Sequence, residues 1–181
     1  MEFYESEETN LLRRIVSWVT DIIVVAAIAC FTVYAFGTQI PVSGSSMHPA
    51  LETDNVVLMN RLIYDYQSPD RFDVVVFQRE DGKMNVKRVI GLPGETVQIK
   101  NGQIYIDGQL LKEEGETSRI TSAGLAEHPV KLGEEEYFLL GDNRDSSEDS
   151  RFANVGNVKK ENIIGKVWLR LFPVLDIGLV E

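Results

Sequence analysis

At 181 residues the chain has room for one domain and an appendage, and enough material to bury a core. Charged residues at 25% and hydrophobic ones at 44% give the balance of a globular protein rather than a disordered one. A formal net charge of −10 with no basic cluster excludes a nucleic-acid partner, whose phosphates require grouped Lys and Arg.

The first ten residues, Met1 to Asn10, are acidic, and Arg13-Arg14 then precede an apolar run from Ile15 to Phe36. As a helix that run is roughly 33 Å long, which matches the hydrocarbon of a bilayer. Trp18 and Tyr34 lie near its two ends, where interfacial aromatics belong. Asp21 is the discordant residue, since a carboxylate in mid-bilayer is costly. It lies about two turns into the run, close enough to the start for tilt or a shifted frame to bring it to the headgroups. The lone cysteine, Cys30, falls in the same run, reads as a buried inert thiol, and excludes an internal disulfide or a cysteine-rich metal site. A cleaved leader fits poorly, because the apolar run is long and the residues before it are acidic rather than basic. Arg13 and Arg14 flank the N-terminal side while no Lys or Arg occurs from Gly37 to Asn60, so the N-terminus is expected in the cytoplasm. The chain thus divides into a cytoplasmic segment (1–14), a transmembrane helix (15–36) and an extracytoplasmic domain (37–181).

Beyond Phe36 the periodicity is that of strands. Asn55 to Met59, Asp73 to Phe77, Asn85 to Ile90, Tyr137 to Leu140 and Ile163 to Leu171 are short and rich in Val, Ile, Leu or aromatics. Thr96 to Lys100 and Gln103 to Asp107 alternate on either side of Asn101-Gly102, a pair suited to a type I′ hairpin turn. Asp107-Gly108 supplies a second turn before Gln109 to Leu111. No long amphipathic helix follows Phe36, and Lys112 to Glu136 reads as an exposed excursion with a strand around Val130. The expected fold is mainly β, a compact antiparallel sheet or barrel behind one N-terminal transmembrane helix.

Three segments carry candidate chemistry. Gly44-Ser45-Ser46-Met47-His48-Pro49 follows the apolar run; its small residues permit a tight turn that exposes a hydroxyl beside backbone amides, although alone it reads as a loop. Asn85 to Glu95 sets Lys87 on a strand with Val89 and Gly91 on the same face, which would desolvate an ammonium. Taken alone, a lysine in such a pattern is usually an edge-strand gatekeeper that discourages aggregation. Gly141 to Arg151 mixes carboxylates, guanidiniums and hydroxyls, and its two arginines and irregular spacing suit a calcium loop poorly.

Together, in this order behind an anchor, the segments resemble the signature of type I signal peptidases, from Trp18 to Leu171. Asp70 to Phe77 is also similar to a strand of that family, with Phe72 where glycine is common. The resemblance implies a membrane-bound serine protease with Ser46 as nucleophile and Lys87 as general base. It assigns Met47 to the substrate pocket and Ser147 to a hydrogen bond that orients the lysine. Arg88, Asp142, Asp149 and Arg151 become supporting ion pairs, and the Ser46 backbone N–H becomes an oxyanion donor. Some members add a hydroxyl two residues before the nucleophile, where Gly44 stands here. The implied substrates are secretory preproteins cut after small residues in an Ala-x-Ala-like pattern. The lipid bilayer and a protein-export translocon are the implied surroundings, in the cell membrane, and neither metal nor organic cofactor is called for. Two other readings remain at this stage, a repressor-type Ser-Lys protease and a non-catalytic anchored binding protein. The first normally carries a DNA-binding helix-turn-helix, for which this chain has an anchor instead. His48 and His128, each beside a proline, read as surface residues.

Overall fold

The computed structural model describes residues 6–113 and 119–180; residues 1–5 of the acidic segment and 114–118 of the predicted excursion lie outside it. Helix α1 (Ser6–Phe36) begins earlier than the predicted Ile15, because neither proline nor glycine interrupts 6–14. Within it, Leu11–Phe36 is long and apolar enough to cross a membrane, and almost none of it packs against the rest of the protein. Cys30 corrects the sequence reading: it is exposed on this helix, since no other element covers that surface.

Among the described residues twelve strands follow, all paired antiparallel, and the fold is mainly β. In chain order they are β1 (Thr38–Pro41), β2 (Val56–Asn60), β3 (Val74–Gln78), β4 (Met84–Gly91), β5 (Thr96–Lys100), β6 (Gln103–Ile106), β7 (Gln109–Leu110), β8 (Val130–Lys131), β9 (Glu136–Leu140), β10 (Val158–Lys159), β11 (Ile163–Phe172) and β12 (Gly178–Leu179). One four-residue helix, α2 (Ile63–Tyr66), lies between β2 and β3. The larger sheet runs β1-β2-β11-β3-β4-β9-β10, with β12 added beside β11. The smaller runs β7-β6-β5-β8.

Strand β3 is central in the larger sheet and buried on both faces, which is why it reads as Val-Val-Val-Phe without alternation. Val74 and Val76 join Val42, Met47, Leu51, Val57, Met59 and Val167 on one side. Val75 and Phe77 join Val89, Leu139, Tyr137 and Ile163 on the other. A third core, with Ile90, Val97, Ile99, Ile104, Leu132 and Phe138, ties the small sheet to the large one. Both predicted tight turns have the backbone that type I′ requires: φ is +52° and +77° at Asn101 and Gly102, and +49° and +79° at Asp107 and Gly108.

The anchor is fastened to the sheet at its exit. Ala35 is fully buried and its carbonyl accepts the Arg61 N–H at 3.0 Å. The Trp168 indole donates to the Phe36 carbonyl at 3.1 Å, and the Arg61 guanidinium lies 5.4 Å from the Tyr34 ring centre.

Candidate active site

The turn after β1 carries Ser46. Leu51 N–H donates to the Met47 carbonyl at 2.7 Å and His48 N–H to the Ser45 carbonyl at 3.1 Å, closing one tight loop. Met47 and Leu51 are buried in the core beneath, so the turn is pinned by side chains while Ser46 stays half-buried at the surface. Among the described residues, the Ser46 N–H donates to no backbone carbonyl and remains available to a ligand. Gly44, at φ +81°, opens the turn and has nothing near the place of a β-carbon.

Lys87 arrives from β4. Register pairs it with Val75 of β3, and continuing the β4–β9 register by one residue from Arg88↔Leu140 brings Gly141 to its other side. The lysine is 3% exposed, and its ammonium donates to Ser46 Oγ at 2.8 Å. Burial pushes the Lys87 pKa down to about 8, against the opposing pull of Asp149, Glu148 and Asp142. A lysine that is about one-tenth neutral at pH 7 is a usable base, whereas an unperturbed one is neutral in roughly one molecule of 3,000.

Burial prevails because each of those carboxylates has an arginine of its own. Asp142 takes a two-point bond from Arg88, Nε and Nη2 both at 2.8 Å. Asp149 takes Nε and Nη2 of Arg151 at 2.8 and 2.9 Å, and also accepts the Gly141 N–H at 3.2 Å. Glu148 accepts Arg79 Nη1 at 2.5 Å. Arg88 donates further to the Phe72 carbonyl at 2.9 Å. Phe72 itself has φ +73°, a conformation natural to glycine and strained in phenylalanine.

Ser147 is buried beside Gly141, but its Oγ makes no hydrogen bond, so the bond expected from it to Lys87 is not formed in this structure. Gly141 is essential to the geometry. A β-carbon there would lie 2.2 Å from Ser147 Oγ and 2.4 Å from the Ser46 carbonyl oxygen.

Three residues of the site were given no role by sequence reasoning, two of them, Asn143 and Arg144, although they stand in the third signature segment. Asn143 grips the nucleophile turn twice, its N–H on the Ser46 carbonyl at 3.1 Å and its Nδ2 on the Ser45 carbonyl at 3.1 Å. Arg144, 1% exposed, donates from Nε to the Gly141 carbonyl at 2.9 Å and pairs with Glu113. Arg79 is half-buried at the end of β3. His48 and His128 lie at the surface, as expected, with His48 3.8 Å from Glu52.

A small cavity of about 40 Å³ opens beside the dyad, lined by Ile40, Val42, Ser43, Met47, Val86 and the dyad itself. It sits where β1, an end strand of the sheet, faces the start of β4. A hydroxyl hydrogen-bonded to a desolvated amine, beside a narrow recess at a sheet edge, suits attack on an extended peptide.

Comparison with known proteins agrees. The family model described as signal peptidase, peptidase S26, matches residues 15–172. A signal peptidase I of Leptolyngbya laminosa is 36% identical, over 86% of this chain and 77% of that one. The signal peptidase I of Bacillus caldolyticus is 35% identical over 83% and 87% of the two chains, and signal peptidase I S of Bacillus subtilis 33% over 93% and 95%. The chain therefore belongs to the signal peptidases, peptidase family S26, and is a serine endopeptidase.

Proposed function

We propose that this chain removes N-terminal signal peptides from preproteins by a Ser46/Lys87 dyad acting through an acyl-enzyme. The observation that carries the reading is the 2.8 Å bond between Lys87 Nζ and Ser46 Oγ, made by an amine depressed to about pKa 8. Neutral Lys87 accepts the Ser46 proton as Oγ attacks the scissile carbonyl carbon. The Ser46 N–H faces the developing oxyanion. The lysine then protonates the leaving amine, and the Ser46 ester remains. Water, deprotonated by the same amine, attacks that ester, releasing the signal peptide's new carboxylate and restoring the serine.

The recess of about 40 Å³ has room for an alanine methyl and not for a leucine or phenylalanine side chain, which fits cleavage after small residues. The extended segment would lie along β1 with its side chains alternating into such recesses. Helix α1 crosses the cell membrane with its N-terminus in the cytoplasm, which holds the domain outside and close to the lipid-bound signal peptide; the export translocon is then a near neighbour.

The test is cleavage of a preprotein with an Ala-x-Ala junction by the full chain in lipid vesicles, with the junction read by mass spectrometry. Cleavage at that bond, lost when the residue before it becomes leucine, is the expected result. Cutting at other bonds, or indifference to the leucine, would refute the substrate class.

A further inference from the structure

Arg79 stands at the end of β3, where its N–H donates to the Lys83 carbonyl at 2.9 Å across the turn into β4. The register pairs Val75 with Lys87 and Phe77 with Asn85, so the two-residue period puts Val75, Phe77 and Arg79 on the face that bears Lys87. Phe77 is 1% exposed and fills the interval with hydrocarbon. From that position Arg79 Nη1 meets the Glu148 carboxylate at 2.5 Å. Glu148 is the residue between Ser147 and Asp149, and it is exposed where Asp142 and Asp149 are buried. Its other oxygen accepts from Asn154.

The charges facing Lys87 can be taken in turn. Asp142 is neutralised by Arg88, and Asp149 by Arg151, whose Nη2 also reaches the Arg144 carbonyl; all four of these charged groups are buried. Glu148 alone among these carboxylates is half in solvent, and among the described residues Arg79 is the one cation paired with it directly, with Lys83 adding a weaker coulombic pull. Asp81 lies 3.8 Å from Arg79 Nε and 3.6 Å from the Lys83 ammonium. His48 is on the nucleophile turn but exposed and directed to Glu52.

We propose that Arg79 is a positioning residue for the dyad: by binding the Glu148 carboxylate it holds that charge off Lys87 and keeps the amine available as a base. The proposal rests on the reading of Lys87 as the general base. Two electrostatic effects run in the same direction. The Arg79 cation itself disfavours a second cation at Lys87, and its bond to Glu148 offsets the carboxylate that favours one. Without Arg79 the lysine regains charge, and proton transfer from Ser46 slows at neutral pH.

The experiment is the pH dependence of kcat/KM for a peptide substrate, from pH 6 to 10, for the full-length enzyme in detergent. Arg79→Ala is expected to move the acidic limb up by roughly 0.5 pH unit, a small shift because Glu148 is solvent-screened. That is about a threefold loss at pH 7 with the alkaline plateau and KM unchanged. Arg79→Lys should stay near wild type. Glu148→Gln should move the limb down, and the double variant should return it toward wild type. Limbs that stay fixed in both single variants overturn the proposal, as does a loss in Arg79→Ala that is equal at every pH, which marks mere structural support. Glu148→Gln, at an exposed residue, decides the matter if Arg79→Ala fails to fold. A wild-type enzyme with no acidic limb, or an active Lys87→Ala, instead refutes Lys87 as base, and the proposal falls with it.

Discussion

At the scale of single residues, the enzyme's cost and its activity meet at Lys87. Its pKa falls from 10.5 in the free side chain to about 8 in the fold because the ammonium is stripped of water. Two consequences follow, one for activity and one for stability. With Lys87 as the proposed general base, activity needs the neutral amine, so kcat/KM should rise with pH along a limb centred near pH 8, measured by peptide cleavage in buffers of constant ionic strength. Stability obeys the proton count. Between about pH 8 and 10.5 the unfolded chain holds the extra proton, so unfolding free energy climbs with pH through that window. Below pH 8 both states are protonated and the full penalty, about 3 kcal/mol, is carried by the folded state. Replacing Lys87 by methionine, similar in length and apolar, should therefore abolish cleavage yet raise stability at pH 7 by about 2 kcal/mol, the gain vanishing above pH 10.5. Urea titrations at pH 7 and pH 10.5 measure both. A less stable Lys87→Met at pH 7 would contradict the desolvation argument.

At the scale of elements, the site exists because three pieces of chain close on one another: the turn after β1, strand β4 and the segment following β9. Gly141 is the contact point. Substituting alanine forces the Ser46 carbonyl and the Ser147 side chain to move by about an ångström, since a β-carbon there would lie 2.4 Å from that backbone oxygen and 2.2 Å from Ser147 Oγ. The expected result for Gly141→Ala is a loss of about 100-fold in kcat with a fold still detectable by circular dichroism. Most of the strands were readable in sequence, but β1, β10 and β12, short pieces of four residues or fewer, were not. Alternation marked β5 and β6, an unbroken Val run marked β3, and Asn-Gly and Asp-Gly marked the turns. The order of the larger sheet was not readable, because pairing β11 with both β2 and β3 depends on contacts about a hundred residues apart in the chain. For the same reason Ser46 and Lys87 could be given roles through a family signature, whereas Asn143 and Arg144 stood in its third segment without a role and Arg79 stood outside it. Their role lies in which distant carbonyl or carboxylate they meet, and nothing in their own neighbourhood encodes it. Phe72 lies between these cases: its departure from glycine was visible, and the positive φ that explains the usual glycine appears only in the fold.

At the scale of the whole molecule, the anchor and the sheet form a single mechanical unit at α1's exit, where Trp168 and Arg61 hold the last turn of the helix. If Tyr34 sits at one headgroup layer, Asp21 lies about 20 Å of helix away, inside the hydrocarbon and about 10 Å from the opposite face. The frame set by the docked domain thus leaves little freedom to slide Asp21 out, and Arg13 and Arg14 reach the far headgroups instead. A rigid exit fixes how far Ser46 stands from the membrane, which matters when the substrate's own apolar segment is held in the same bilayer. The central claim is that this assembly cuts preproteins with one serine and one buried lysine. It is tested most directly by measuring kcat/KM on a preprotein in lipid for wild type, Ser46→Ala and Lys87→Ala, all confirmed folded. The account predicts junction cleavage by the wild type and a fall of at least about 1,000-fold in each variant. Cleavage by Lys87→Ala within about tenfold of wild type at pH 7 would contradict it.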